Sequence, residues 1–265
     1  MADTVLITGA SGGLGEAFAR IFAARGDRLV LTARGADRLA TLAASLGGGV
    51  RTEIVPADLS APAGPAPLLA ELEAKSIEVD VLVNNAGFGT FGPFAESVLE
   101  DELAQIQVNV TSLTHLTRAL LPGMIRRGRG RVLNVASLAA FQPGPLMAVY
   151  YATKAYVLSF SEALSNEVKG SGVTVSCLCP GPTRTGFMAR AKMGDPEVLA
   201  KSFTMMDAEA AARKGVEGLL RGRRLIIPGV LNKMLAHSTR LGSRGLAASV
   251  VRSMMASIEA TRRPR

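Results

Sequence analysis

The chain has 265 residues, 48% of them hydrophobic and 20% charged, and a formal net charge of +8. This length and apolar content suit one substantial core, most simply a single α/β domain. No run reaches the roughly 20 apolar residues that a membrane span needs, and no secretory signal is expected at the N-terminus. Cys177 and Cys179 stand too close on one predicted strand for a good disulfide, so we expect a reducing, cytoplasmic compartment.

The positive charge is concentrated near the C-terminus. Residues 1–212 carry 18 Lys and Arg against 20 Asp and Glu, whereas residues 213–265 carry 12 against 2. A nucleic-acid-binding domain would be expected to show a recognition motif or basic residues interleaved with aromatic ones. Neither pattern is present, so nucleic acid is not expected to be a partner.

A glycine-rich turn separates the first predicted strand, residues 3–8, from a predicted helix. The turn reads G-A-S-G-G-L-G from Gly9 to Gly15. Glycines let backbone N–H groups approach a pyrophosphate, and a helix N-terminus favours its negative charge. The spacing differs from the common G-x-G-x-x-G fingerprint, so a purely structural turn is the alternative.

The second predicted strand, residues 29–33, ends where a dinucleotide-binding fold contacts the adenosine ribose. An acidic residue there would bind the 2′-hydroxyl and select NAD. This chain instead has Arg34, with Arg38 one turn later and no acidic residue before Asp37. Because guanidinium groups bind phosphate in a bidentate manner, the pattern favours NADP(H) over NAD(H), with solvated arginines as the alternative.

Strands and helices continue to alternate along the chain. Further strands are predicted at residues 50–56, 79–83, 132–136 and 223–227. This alternation predicts an α/β fold with a parallel sheet and right-handed crossovers, without a second domain. A long helix is predicted over residues 98–121 with Asn109 at its middle. Asparagine is a poor interior helix residue, so Asn109 is either a tolerated surface residue or an anchor for polar chemistry.

A serine, a tyrosine and a lysine follow the fifth predicted strand. If Tyr150 opens a helix, Lys154 lies one turn on and shares its face. The ammonium group should then lower the tyrosine pKa from about 10 towards neutrality, as a general acid/base requires. Ser137 lies at the sheet edge where open α/β sheets bind ligands, and its hydroxyl could hold a substrate oxygen.

Taken together, these motifs resemble the short-chain dehydrogenase/reductase family in its shorter, non-extended branch. The resemblance runs from Thr4 to about Phe187 and includes the motif Asn84-Asn85-Ala86-Gly87 behind the fourth strand. It implies a Rossmann-type doubly wound parallel sheet and an NADP(H)-dependent oxidoreductase of the carbonyl reductase/alcohol dehydrogenase type. It also implies a catalytic tetrad, formed by Asn109, Ser137, Tyr150 and Lys154, in which Asn109 orders a water in the proton relay.

The resemblance further implies which residues bind the cofactor, and it implies no metal. With the two arginines included, the expected cofactor contacts are Thr8, Gly9, Ser11, Gly13, Leu14, Gly15, Arg34, Arg38, Asp58, Leu59, Asn85, Ala86, Gly87, Tyr150, Lys154, Pro180, Gly181, Thr183 and Thr185. The cofactor half would span about residues 1–137, the catalytic and substrate half about 137–229, and basic C-terminal helices about 230–265.

Aromatic residues and methionines surround the predicted cleft. The expected substrate contacts are Phe88, Phe141, Met147, Phe187 and Met188. They favour a small-molecule substrate that is an apolar, bulky ketone or the matching alcohol, with ordinary core packing as the alternative. Arg184, Arg190 and Lys192 leave an acidic substrate open. A non-catalytic NADP(H)-binding sensor or interaction protein is the rival function.

Two amphipathic patterns occupy the basic C-terminal region. One includes Leu231, Met234 and Leu235, and the other includes Leu246 and Val250. They would pack a homo-oligomer, a dimer or a tetramer, or cover the substrate cleft with their arginines in water. A basic amphipathic helix can also make peripheral contact with an anionic membrane.

Overall fold

The computed structural model describes residues 2–194, 204–238 and 243–260. Seven parallel strands form its main sheet, in the order β3-β2-β1-β4-β5-β6-β9. These strands are β1 (Thr4–Thr8), β2 (Arg28–Thr32), β3 (Thr52–Ile54), β4 (Val81–Asn84), β5 (Gly130–Val135), β6 (Val173–Leu178) and β9 (Leu225–Ile226). Two short strands, β7 (Thr183–Arg184) and β8 (Met206–Asp207), pair with each other. The predicted doubly wound parallel sheet is thereby confirmed.

Helices connect the strands and cover both faces of the sheet. In the described residues they are α1 (Gly13–Ala24), α2 (Ala36–Ser45), α3 (Pro65–Ala74), α4 (Leu99–Ile106), α5 (Leu113–Arg126), α6 (Ala148–Glu167), α7 (Phe187–Arg190), α8 (Ala208–Leu220), α9 (Val230–Ser238) and α10 (Arg244–Ala260). Short 3₁₀ segments lie at Phe94–Glu96 and Leu138–Phe141. None of the helices in this described part is long and apolar enough to cross a membrane.

Alternate side chains of β1 enter two separate core clusters. Val5 and Ile7 belong to the same cluster as Phe18 of α1, and Leu6 belongs to another that includes Leu68 of α3. All five are fully buried. Because both faces are covered, the strands read as continuous apolar runs in the sequence. The strand order reverses beside β1, so β1 and β4 flank the crevice where such sheets bind ligands.

The predicted helix over residues 98–121 is not continuous. A π-helical segment, Gln107–Ser112, separates α4 from α5. Asn109 lies in this segment and is 1% exposed, so the interpretation as a surface residue is wrong. Single π turns inside helices often occur at functional sites, and this one turns a polar side chain inward.

The C-terminal helix α10 packs over the catalytic half. Its Val251, Met255 and Ile258 are buried in a cluster that also contains Met147 and Tyr151. Of the three interpretations of the basic region, this packing agrees with the one in which the helix covers the substrate cleft.

Candidate active site

The glycine turn depends on two glycines with positive φ and on one close approach of the backbone. Gly9 and Gly13 have φ values of +64° and +57°, in the left-handed region that favours glycine. At Gly15, a Cβ atom would lie only 2.1 Å from the carbonyl oxygen of Gly9. Helix α1 can therefore begin directly against the turn, with its first backbone N–H groups facing the cleft.

Hydrogen bonds attach the turn to the end of β4. The Thr8 hydroxyl accepts from the backbone N–H groups of Asn85 and Ala86 at 2.9 Å and donates to the Val83 carbonyl. The Asn85 amide donates to the Thr8 carbonyl at 2.9 Å and to that of Gly9 at 3.3 Å. Thr8 thus holds the turn in place rather than facing the cleft.

Ser137, Tyr150 and Lys154 meet at the carboxyl edge of the sheet. Ser137 follows β5; its hydroxyl accepts a hydrogen bond from the Ala139 N–H at 3.1 Å and lies close enough to Tyr150 to lower the pKa of that phenol. Tyr150 is the third residue of α6, as predicted, and Lys154 follows one turn later. The Lys154 ammonium donates to the Val135 carbonyl at 2.8 Å and is 5% exposed.

Asn109 supports this group from behind. Its Nδ2 donates to the Phe88 carbonyl and to Thr153 Oγ1, each at 3.0 Å, and its Oδ1 accepts from the Phe88 N–H. The Thr153 hydroxyl in turn donates to the Tyr150 carbonyl at 2.8 Å. The π segment is therefore connected to the first turn of α6 through Thr153, a residue that the sequence reasoning missed.

The predicted fall in the Tyr150 pKa is wrong for this arrangement. Burial raises the pKa of Tyr150 above its ordinary value, and the Ser137 hydrogen bond lowers it only in part. Burial also lowers the pKa of Lys154 to about 8. The spacing correctly places both groups on one helix face, but it carries no information about desolvation, which dominates here.

Charged side chains surround the far end of the cleft, beyond β2. Arg34 and Arg38 lie at the start of α2, and the Arg38 guanidinium folds to 3.3 Å from where a Gly35 Cβ would stand. Asp58 accepts from the Ser60 hydroxyl at 2.5 Å and from its N–H at 2.9 Å. These bonds, helped by the arginine charges, lower the pKa of Asp58 and keep it ionised.

One cavity of about 730 Å³ joins these features. Most of the predicted site residues line it, including every residue of the expected substrate cleft. Thr8, Gly15 and Asn109 are the exceptions: they stand behind the wall and support it. The ring of Phe187 lies 5.0 Å from that of Tyr150, between their centroids. Tyr151 also lines the cavity, but its ring packs against Gly144 and it is 7% exposed.

The sequence reasoning missed part of the wall. Leu235 of α9, and Leu246, Val250 and Met254 of α10, line the same cavity. The sequence shows that these residues recur at helical spacing, but it does not show which face of each helix lies against the cleft. Arg190 also lines it, with its guanidinium carbon 4.3 Å from the centroid of the Phe88 ring.

The cavity fits a dinucleotide cofactor. Gly9, Gly12 and Gly13 line the cavity without side chains, so their backbone can approach a pyrophosphate, and two arginines lie at the far end. Within the described residues, no group of His, Cys, Asp and Glu could hold a metal ion.

Comparisons with known proteins agree with this geometry. The sequence model of the short chain dehydrogenase family matches residues 3–195. Nodulation protein G of Rhizobium sp. (strain N33) is 39% identical over 176 residues, which are 66% of this chain and 71% of that protein. The NADP-dependent 3-hydroxy acid dehydrogenase YdfG of Salmonella typhi is 37% identical over 201 residues, 75% of this chain and 80% of that protein.

Solved structures are similar over nearly the whole chain. A short-chain dehydrogenase from Sphingobium yanoikuyae in complex with NADPH has a TM-score of 0.81 and 36% identity, covering 91% of this chain and 94% of that one. The bulky-bulky ketone specific alcohol dehydrogenase from Comamonas testosteroni has a TM-score of 0.77 and 30% identity, covering 91% and 92%. The chain therefore belongs to the short-chain dehydrogenase/reductase family and is an oxidoreductase that binds a nicotinamide cofactor.

Proposed function

We propose that the protein is an NADP(H)-dependent carbonyl reductase or alcohol dehydrogenase acting on an apolar, bulky ketone or the matching secondary alcohol. The observation that carries the proposal is that Ser137, Tyr150 and Lys154 line one cavity, with the Lys154 ammonium nitrogen 5.7 Å from the centroid of the Tyr150 ring. Because Ser137 and Tyr150 lie on the wall of the same cavity, both hydroxyls can contact the oxygen of one substrate. The glycine turn lines the same cavity.

Each polar residue then has a distinct role in the reaction. Ser137 orients the substrate carbonyl oxygen, and Tyr150 delivers a proton from its hydroxyl to that oxygen. Because burial raises the pKa of Tyr150, the hydroxyl is protonated at neutral pH, the form needed to reduce a ketone. When bound, NADP(H) supplies or accepts the hydride.

Lys154 and Asn109 would act at one remove from the substrate oxygen. Lys154 has one N–H engaged by the Val135 carbonyl, which leaves two donors for the nicotinamide ribose hydroxyls. Asn109 fixes the loop at Phe88 and, through Thr153, the backbone at Tyr150. This role supplements the water-ordering one that the family resemblance implies.

The preference for NADP(H) over NAD(H) rests on Arg34 and Arg38. They flank the start of α2, where the capping residue Gly35 provides no side-chain acceptor. Two guanidinium groups and free helical N–H groups favour a phosphate on the ribose. Changing Arg34 to Asp should weaken NADPH binding far more than NADH binding. An unchanged ratio of the two dissociation constants would contradict this assignment.

The apolar substrate is supported by the wall opposite the catalytic hydroxyls. Phe187, Met188 and Met147 line its inner part, and Val250 and Met254 of α10 extend it outwards. This wall offers much apolar area to a bulky substrate. A hydroxy acid is the second candidate, because Arg190 lines the cavity and the Salmonella typhi relative is named for such substrates.

We further propose that the protein forms a cytoplasmic homo-oligomer. Leu99, Leu103 and Ile106 lie along one face of α4 and are 61%, 55% and 39% exposed, and Tyr156 of the neighbouring α6 is 38% exposed. An unpartnered apolar face of this kind fits a second copy of the chain. Light scattering should give a dimer or tetramer, and Leu103→Lys should shift it towards monomer.

The first experiment is a titration with NADPH and NADH, followed by absorbance of the bound cofactor against ketones graded by size and polarity. Tight NADPH binding with oxidation by bulky apolar ketones is the expected result. Oxidation by keto acids alone would favour the hydroxy acid alternative. Binding without oxidation by any ketone would favour a non-catalytic sensor instead.

A further inference from the structure

Arg190 reaches into the cleft from the segment that forms the substrate wall. It is the last residue of α7, and its guanidinium carbon lies 4.3 Å from the centroid of the Phe88 ring. This stacking covers Phe88, which is only 8% exposed, and it fixes the direction of the long side chain. Among the described residues the guanidinium N–H groups have no hydrogen-bond partner, so they can bind an acceptor in the cavity that Arg190 lines.

Arg190 shares the cavity with the charged residues at its far end. Arg34, Arg38 and Asp58 line the same cavity, and the charges of all three act on the guanidinium of Arg190. The described lining of the cavity thus holds these three arginines and one carboxylate, which is hydrogen-bonded to Ser60. This leaves positive charge in excess, an arrangement that an anionic ligand group would stabilise.

We propose that Arg190 is a third arginine of the site for the 2′-phosphate of NADP(H), reaching it from the substrate side of the cleft. The inference rests on the proposed preference for NADP(H) and adds a specificity-determining residue to it. Arg34 and Arg38 come from the cofactor half of the chain, whereas Arg190 comes from the segment beyond β7. The phosphate would therefore bridge the two walls of the cleft.

Helix α7 connects this contact to the catalytic centre. Phe187, at its first position, lies against Tyr150 with 5.0 Å between the ring centroids, and Arg190 is at its last position. Four residues of helix span only about 6 Å, so Phe187 and Arg190 lie close together on one short helix. A phosphate bound by Arg190 would therefore contact the same short helix that places Phe187 against Tyr150.

The test uses two nucleotide fragments that differ in one group, adenosine 2′,5′-bisphosphate and 5′-AMP, with calorimetry on the full chain. Arg190→Gln should weaken binding of the bisphosphate about 10- to 100-fold, the loss expected for one charge-assisted contact. Binding of 5′-AMP should change little. Arg190→Lys, which keeps the charge, should fall between. Arg184→Gln is the matched control, because Arg184 is exposed in the same segment and does not line the cavity.

The outcomes separate this inference from the proposed function. If the wild-type protein prefers the bisphosphate and Arg190→Gln keeps that preference in full, the inference is overturned alone. An equal loss for both fragments would place Arg190 elsewhere on the cofactor and overturn it as well. If the wild-type protein binds both equally, the preference for NADP(H) fails together with the inference. Circular dichroism melting of both Arg190 variants establishes that any loss is not one of folding.

Discussion

Lys154 places its ammonium nitrogen 5.7 Å from the centroid of the Tyr150 ring. Burial moves the pKa values of the two groups in opposite directions, upwards for the phenol and down to about 8 for the ammonium. At pH 7 both groups therefore carry their protons, although each lies in a setting that disfavours its charged form. The pair can therefore donate a proton, and reduction of a carbonyl requires a proton on the substrate oxygen.

Removing the phenol should stop turnover without removing the cofactor site. We expect Tyr150→Phe to lower kcat by about 10²- to 10⁴-fold, because the proton donor is lost, while the dissociation constant for NADPH changes little. The measurement is steady-state kinetics with calorimetric binding of NADPH. Tyr151→Phe is the matched control, since its ring packs under Gly144, and it should keep most of the rate. A Tyr150→Phe protein near the wild-type rate would contradict the assigned proton donor.

The buried ammonium should leave a signature in the stability of the protein. The pKa of Lys154 is lowered from 10.5 to about 8, so the unfolded chain holds this proton more tightly than the native one. The resulting cost is fully present below pH 8 and is lost as pH rises towards 10.5. Lys154→Met removes this cost. As the pH falls from 10.5 to 7, the free energy of unfolding of Lys154→Met should therefore increase by about 3 kcal/mol relative to that of the wild type.

Urea unfolding of both proteins between pH 7 and pH 10.5 measures this difference. Lys169→Met, at an exposed site just after α6, controls for the loss of one positive charge. The raised pKa values of Tyr150 and Tyr151 also make stability depend on pH in the alkaline range. Because both tyrosines are present in the wild type and in both variants, the free energies of unfolding are compared between proteins at each pH. A difference that does not vary with pH would show that Lys154 is not desolvated in the native state.

Substitution by alanine should have very different effects on stability at two glycines of the cofactor turn. At Gly15 a Cβ would lie 2.1 Å from the Gly9 carbonyl oxygen, whereas at Gly12 it would meet nothing within 4 Å. Gly12 has an extended φ of 168°, which any residue adopts. We expect Gly15→Ala to destabilise the fold by several kcal/mol, as overpacking does, and Gly12→Ala to leave the melting temperature nearly unchanged. Equal melting temperatures would show that α1 can shift away from the turn.

The sheet and the motifs at its edge could be predicted because local signals determine them. Buried parallel strands read as apolar runs, and the glycine turn follows β1 directly. The spacing of Tyr150 and Lys154 likewise predicted their shared helix face. Side chains from distant segments determine the rest. The π segment contains Asn109, whose side chain hydrogen-bonds to the backbone of Phe88, 21 positions away. No sequence pattern within residues 98–121 indicates that partner.

Electrostatics in the cleft was the least predictable property. The pKa of Tyr150 follows from how completely the fold buries it, and a four-residue spacing says nothing about burial. The same holds for Arg190, which sequence reasoning kept only as a sign of an acidic substrate. Its position over Phe88 became visible only once α7 was placed across the cleft.

The outer wall of the cleft offers a test of the substrate class. Val250 of α10 lines the cavity and is 60% exposed, so a bulky apolar ketone would cover it. The substitution Val250→Glu should raise KM for such a ketone about 10-fold. The ketone loses an apolar contact, and its binding would bury the new carboxylate. KM for a small ketone should rise much less, since a small ketone bound at Tyr150 leaves the outer wall in water. Val230→Glu is the control, because Val230 is 76% exposed on α9 and does not line the cavity. If both ketones respond equally to Val250→Glu, the substrate does not extend to α10.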